Sequence, residues 1–80
     1  MKVVDQRNPE PLHEQLAAIL RAEIAAGTYM DAGMLPSESQ LQQTHGVSRG
    51  TVRRAIETLT AEGLVYTITA RGTFLTGGQG

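Results

Sequence analysis

Leu12, Leu16, Leu20 and Ile24 recur at every fourth position, and His13 and Ala17 fall on the same stripe, which is the spacing of a helix with one apolar face. Pro11 suits the first helical position, where a missing N–H is no loss, and Gly27 suits the stop. Ile19 lies at the flank of the stripe and is expected to be exposed. From Thr28 to Leu35 the helical period disappears and Gly33 interrupts the run, which predicts a turn with room for a short strand. A second, short helix begins after Pro36. Proline disfavours helix in the residue before it, Ser37 can cap, and Gln40 stands at the third helical position of a capping box. Gly46 ends that helix. Ser48 can cap a third, in which Val52, Ala55, Ile56 and Leu59 recur as i, i+3, i+4 and i+7 before Gly63 stops it. Two helices joined by such a short turn with a glycine in it predict a helix-turn-helix.

Beyond Gly63 the period changes. Leu64-Val65-Tyr66-Thr67-Ile68-Thr69 and Thr73-Phe74-Leu75-Thr76 are rich in β-branched and aromatic residues, and Ala70-Arg71-Gly72 can turn the chain between them. A β-hairpin directly follows the third helix. Gly77-Gly78-Gln79-Gly80 offers nothing to pack and reads as a flexible tail or the start of a linker. The expected organisation is an N-terminal arm at 1–10, one domain at 11–76 and the tail at 77–80.

Composition narrows the classes. Eighty residues at 8.6 kDa make one small domain with a compact core, and with only Tyr29, Tyr66 and Phe74 as aromatics the packing must be mostly Leu, Ile, Val and Ala. With 40% apolar and 19% charged residues the chain is ordinary for a folded domain rather than a disordered tail. No cysteine means no disulfide framework and no thiolate metal cage. The first residues carry too few apolar positions for a signal peptide, and no run reaches the ~20 apolar residues of a membrane span. The sequence therefore predicts a cytoplasmic protein without a membrane partner.

The net charge of −1 argues against a polyanionic partner until its distribution is considered. Residues 1–45 carry three cations against six anions, whereas residues 46–80 carry four against two, and all four are arginine. Arginine presents a planar fork suited to phosphate and guanine edges. At ~100° per residue, burying the apolar face of the third helix leaves Gly50, Arg53, Arg54, Glu57 and Ala61 on the opposite side, with Arg49 at the boundary. The start of this helix then exposes Ser48, Arg49, Gly50, Thr51, Arg53 and Arg54. Glycine permits close approach, arginine can donate to guanine O6 and N7, and hydroxyls and N-terminal amides can hold phosphate oxygens. On an isolated helix the same residues would be a solvated face with an Arg53–Glu57 i,i+4 pair. Their place in a helix-turn-helix followed by a hairpin with Arg71 at its tip favours duplex DNA. That reading requires the three arginines of the helix to project outward, free of carboxylates of their own chain.

Pro11-Leu12, Leu35-Pro36-Ser37-Glu38, the block from Gly46 through Ala55, Glu62-Gly63-Leu64-Val65 and Arg71-Gly72-Thr73-Phe74 together closely resemble the N-terminal domain of GntR-type bacterial transcriptional regulators, over residues 11 to 76. The resemblance implies an α+β winged helix-turn-helix, a three-helix core with a C-terminal β-hairpin wing of two or three strands. It implies sequence-specific binding of double-stranded DNA, an operator that is an inverted repeat bound by a homodimer, and regulation with repression as the expected sign. A small-molecule effector would act only through a C-terminal domain that these 80 residues do not include. Carried over residue by residue, the family pattern places DNA contacts at Ser48, Arg49, Gly50 and Arg53 on the reading helix and at Arg71 and Gly72 on the wing. Ser37 and Ser39 at the second helix and Thr73 on the wing extend the candidate set, and Thr51 and Arg54 join it from exposure and donor chemistry.

The pattern also departs from the family. Ser39 replaces a usual arginine, Thr67 and Ile68 stand where the wing is usually basic, Ala70 stands for glycine, Ala32 and Gly33 displace the usual loop glycine, and His45 holds an apolar or aromatic position. Fewer cations imply weaker non-specific binding and a shallower salt dependence. His13 and His45 read as packing residues, since two histidines without cysteine cannot close a four-ligand zinc site. No nucleophile, base and acid set or phosphate loop is present, so neither catalysis nor a cofactor is expected. The alternative reading is a winged-helix module whose arginine face docks an acidic protein, for which the net acidity and the depleted wing are the support.

Overall fold

The structure, a computed structural model, describes residues 11–76; the expected arm at 1–10 and tail at 77–80 lie outside them. Three helices precede two strands: α1 (Leu12–Ala25), α2 (Glu38–His45), α3 (Arg49–Ala61), β1 (Val65–Ile68) and β2 (Gly72–Leu75). Pro11 is the N-cap of α1 and not its first helical residue. Its ψ of 141° keeps it extended while its carbonyl accepts the Glu14 and Gln15 amides at 3.0 and 3.1 Å, so the ladder starts one residue later than the sequence predicts.

The two helices of the predicted helix-turn-helix are bounded by the expected residues. Ser37 Oγ accepts the Gln40 amide at 3.1 Å and Gln40 Oε1 accepts the Ser37 amide at 3.3 Å, which completes the capping box. Gly46 takes the left-handed conformation at φ 66°, where its amide reaches Gln42 O at 2.8 Å and the chain reverses. Two residues later Ser48 Oγ accepts the Thr51 amide at 3.2 Å and starts α3.

α3 packs against both α1 and α2 and touches β1. Leu16, Leu20, Leu41, Val52, Leu59 and Val65 are the larger fully buried side chains, joined by Leu35 from the loop, and no aromatic ring belongs to this core. Ile19 is half-buried against the core rather than exposed, because the apolar stripe of α1 is wide enough to reach it. Gln15 is buried beside Leu16, which the stripe did not mark. On the outside, Arg21 of α1 grips Glu62 at the end of α3 with two bonds of 2.8 and 2.7 Å.

β1 and β2 pair antiparallel with Val65 opposite Leu75 and Ile68 opposite Gly72. Arg71 N–H closes the turn onto Ile68 O at 2.9 Å, and Ala70 within it has φ 67°. The expected short strand before Leu35 is reduced to one bridge, Met34 against Phe74, held by Leu35 N–H to Thr73 O at 2.9 Å and Leu75 N–H to Gly33 O at 3.0 Å. The wing is thus a two-stranded sheet with a third edge one residue long.

Candidate nucleic-acid interface

Once Val52, Ala55, Ile56 and Leu59 are buried, α3 has one face left, and Gly50, Arg53, Arg54 and Glu57 are exposed on it. The Arg49 and Arg53 side chains are 65% and 60% accessible. A groove runs from the start of α2 across α3 to the inner edge of the wing, and Ser37, Ser39, Arg53, Arg71 and Gly72 all line it. Arg71 is carried to its rim by the hairpin turn and is exposed. Residues far apart in sequence therefore share one surface, on which Arg53 of the helix meets Arg71 of the wing, while Arg49 and Arg54 are exposed on α3 outside its lining.

The hydroxyls at the start of α3 form a pair. Ser48 Oγ–H donates to Thr51 Oγ1 at 3.1 Å while the same oxygen caps the helix, which leaves the Thr51 hydroxyl proton to donate outward. The amides of the first turn that the cap does not reach are available to an anion. Ser37 likewise commits its oxygen to a cap, whereas Ser39 is exposed in the first turn of α2.

Thr73 lines the same groove but is only 9% exposed, because the two-residue alternation of β2 turns it inward, where its hydroxyl lies 3.4 Å from that of Thr67. The exposed side of the wing belongs instead to Tyr66, stacked on Phe74 with centroids 5.8 Å apart, and to Ile68.

The arginines of α3 are not all free of carboxylates. Arg53 does not pair with Glu57 on its own helix. Its Nε donates to Glu38 Oε2 at 3.2 Å, and Arg49 Nε lies 4.0 Å from Glu38 Oε1. Two of the three guanidinium groups are therefore not free of carboxylates, and Glu38, at the first helical position of α2, is a member of the site that the residue pattern alone did not single out. An acidic residue between two candidate serines, next to a helix with three cations, was the available signal. An exposed pair of this kind is worth ~0.2–1 kcal/mol, less than the ~1–3 kcal/mol of a bidentate guanine contact, so Glu38 does not block the surface. Among the described residues the terminal nitrogens of Arg49 and Arg53 donate no hydrogen bond to a carboxylate, and the guanidinium groups of Arg54 and Arg71 have no carboxylate partner.

Behind the interface, His45 is buried at 4% exposure and its Nδ1 has no hydrogen-bond partner. Burial holds its pKa below the ordinary 6.5, with the nearby Glu23 carboxylate pulling the other way. Glu23 accepts a hydrogen bond from Tyr29, whose phenol is raised by burial and then by that bond. Among the described residues no three of His, Asp and Glu are grouped as a metal would need, and no helix is long and apolar enough to cross a membrane.

The sequence pattern described as "Bacterial regulatory proteins, gntR family" matches residues 12–75, nearly the whole described domain. The chain belongs to the GntR family. It is 36% identical over 72 residues to the HTH-type transcriptional repressor NagR of Bacillus subtilis (strain 168), an alignment covering 90% of this chain and 30% of NagR. It is 39% identical over 66 residues to the mannosyl-D-glycerate transport/metabolism system repressor MngR of Escherichia coli (strain K12), covering 82% of this chain and 28% of MngR. The chain thus spans less than a third of the length of these relatives. Its fold superimposes on AraR(DBD) solved in complex with operator ORX1 with a TM-score of 0.78 and 32% identity, covering 94% of this chain and 95% of that one. YtrA from Sulfolobus acidocaldarius, a GntR-family transcription factor, gives 0.72 at 26% identity, covering 90% and 76%. The three helices and antiparallel hairpin are the winged helix-turn-helix of GntR regulators.

Proposed function

We propose that this GntR domain binds double-stranded DNA in a sequence-specific way and serves a bacterial transcriptional regulator, in the cytoplasm and with repression as its sign. The observation that carries the proposal is the exposed face of α3, where Arg49 and Arg53 stand one turn apart beside Gly50, within reach of a groove that ends at Arg71. A helix of this width fits the major groove, and the terminal nitrogens of each arginine match guanine O6 and N7. Arg54 and Thr51 would take phosphates, and Arg71 with Gly72 would enter the adjacent minor groove, where an arginine is drawn by the negative potential. Support comes from the operator complex of AraR(DBD) and from the repressors among the relatives.

One such domain offers a protein surface on the order of 600–1,000 Å² to DNA, too little for tight binding alone, so the operator is an inverted repeat occupied by two copies.

Selection of duplexes from a random pool tests the proposal. The expected result is enrichment of one motif by the wild-type chain and loss of that enrichment in Arg49→Ala and Arg53→Ala. Enrichment that persists in both variants would remove α3 from the reading role.

A further inference from the structure

A single carboxylate stands between the two arginines best placed to read bases. Glu38 Oε2 accepts from Arg53 Nε at 3.2 Å, and Oε1 lies 4.0 Å from Arg49 Nε, an ion pair without a hydrogen bond. Arg49 and Arg53 are four residues apart on α3, so their side chains leave the helix on one side, and the start of α2 is fixed opposite them by the Ser37–Gln40 capping box. A guanidinium group held at Nε keeps its two terminal nitrogens free and pointing away from the holder, the orientation that donates end-on to guanine O6 and N7. Long arginine side chains otherwise lose rotamer freedom on docking, and a side chain already held loses less.

Building on the DNA-reading assignment, we infer that Glu38 is a specificity-determining positioning residue, which aims Arg53 at a guanine edge and opposes the capture of both Arg53 and Arg49 by phosphate. The second effect follows from its charge. In a mis-registered complex the two arginines meet backbone phosphates, and a carboxylate between them repels those phosphates. In the correct register they meet neutral base edges, where the carboxylate costs little and accepts well from a neighbouring cytosine amino group. Glu38 therefore weakens binding to arbitrary duplex more than binding to the preferred one.

Two variants separate aim from charge. Glu38→Gln removes the charge and one acceptor oxygen, whereas Glu38→Asp keeps the charge on a stem too short to hold Arg53 Nε. Each is titrated against the duplex selected by the wild-type chain and against a scrambled duplex of the same composition, at several salt concentrations. For Glu38→Gln, binding to the scrambled duplex should tighten with a log–log salt slope steeper by up to about one, and the ratio of the two affinities should fall about tenfold. For Glu38→Asp, the ratio should fall while the scrambled-duplex affinity stays within about twofold of wild type, with no added positive charge to change the salt slope. Unchanged ratios in both variants, or an equal change on both duplexes, would overturn the inference and reduce Glu38 to one unit of bulk charge. Failure of the wild-type chain to tell the duplexes apart would instead overturn the DNA-reading assignment beneath it.

Discussion

At the scale of single residues, two side chains occupy positions that suit them poorly, and each gives a prediction. Ala70 has φ 67° in the wing turn, a conformation costing an L-residue ~1–2 kcal/mol that glycine avoids at some entropic cost. Ala70→Gly should raise stability by about 0.5–1 kcal/mol, read as a higher urea midpoint; a lower midpoint would show the turn to be unstrained. His45 is the second. Because burial keeps its folded-state pKa below 6.5, the unfolded chain takes the proton first as pH falls. Stability is complete above that value and declines as pH drops towards the folded-state pKa, at no more than about 1.4 kcal/mol per pH unit. His45→Leu should remove this decline between neutral and mildly acidic pH in urea melts, whereas parallel curves for the two proteins would assign the decline to other groups. Both positions were visible in the sequence as departures from the family pattern. Glu38 was not, because its partners lie on another helix and no local spacing joins them.

Elements were legible where a local rule dictates them. The capping box, the glycine reversal at Gly46 and the Ser48 cap each depend on side chains within a few residues, so the sequence placed α2, the turn and α3 closely. Ser48→Ala should cost about 1 kcal/mol in thermal melts and also weaken DNA binding, since it loosens the turn that presents Thr51 and the free amides; full stability with weakened binding would give Ser48 a direct contact instead. The wing was less legible. Alternation fixes which residues share a face but not which face meets the core, and the inward turn of Thr73 shows only in its contacts with Thr67 and Leu35. Met34 illustrates the same limit. Its bridge to Phe74 exists only because the loop from α1 returns beside the hairpin, a long-range fact that no run of residues near it encodes.

At the scale of the whole molecule, a net charge of −1 and a polyanionic partner are reconciled by segregation: the four arginines of residues 46–80 lie on α3 and the wing turn, where Arg53 and Arg71 line one face. With so few cations on that face the chain should show a log–log salt slope of about −2 to −4, shallow for a DNA-binding protein, and Arg54→Ala should reduce its magnitude by about one on every duplex alike. The account rests on Arg49 and Arg53 reading bases in the major groove, so the decisive measurement is the affinity of the wild-type chain and of the Arg49→Ala/Arg53→Ala double variant for the selected and scrambled duplexes across a salt series. The wild type should prefer the selected duplex at every salt concentration, and the double variant should bind both equally and weakly. A double variant that kept the preference would contradict the account.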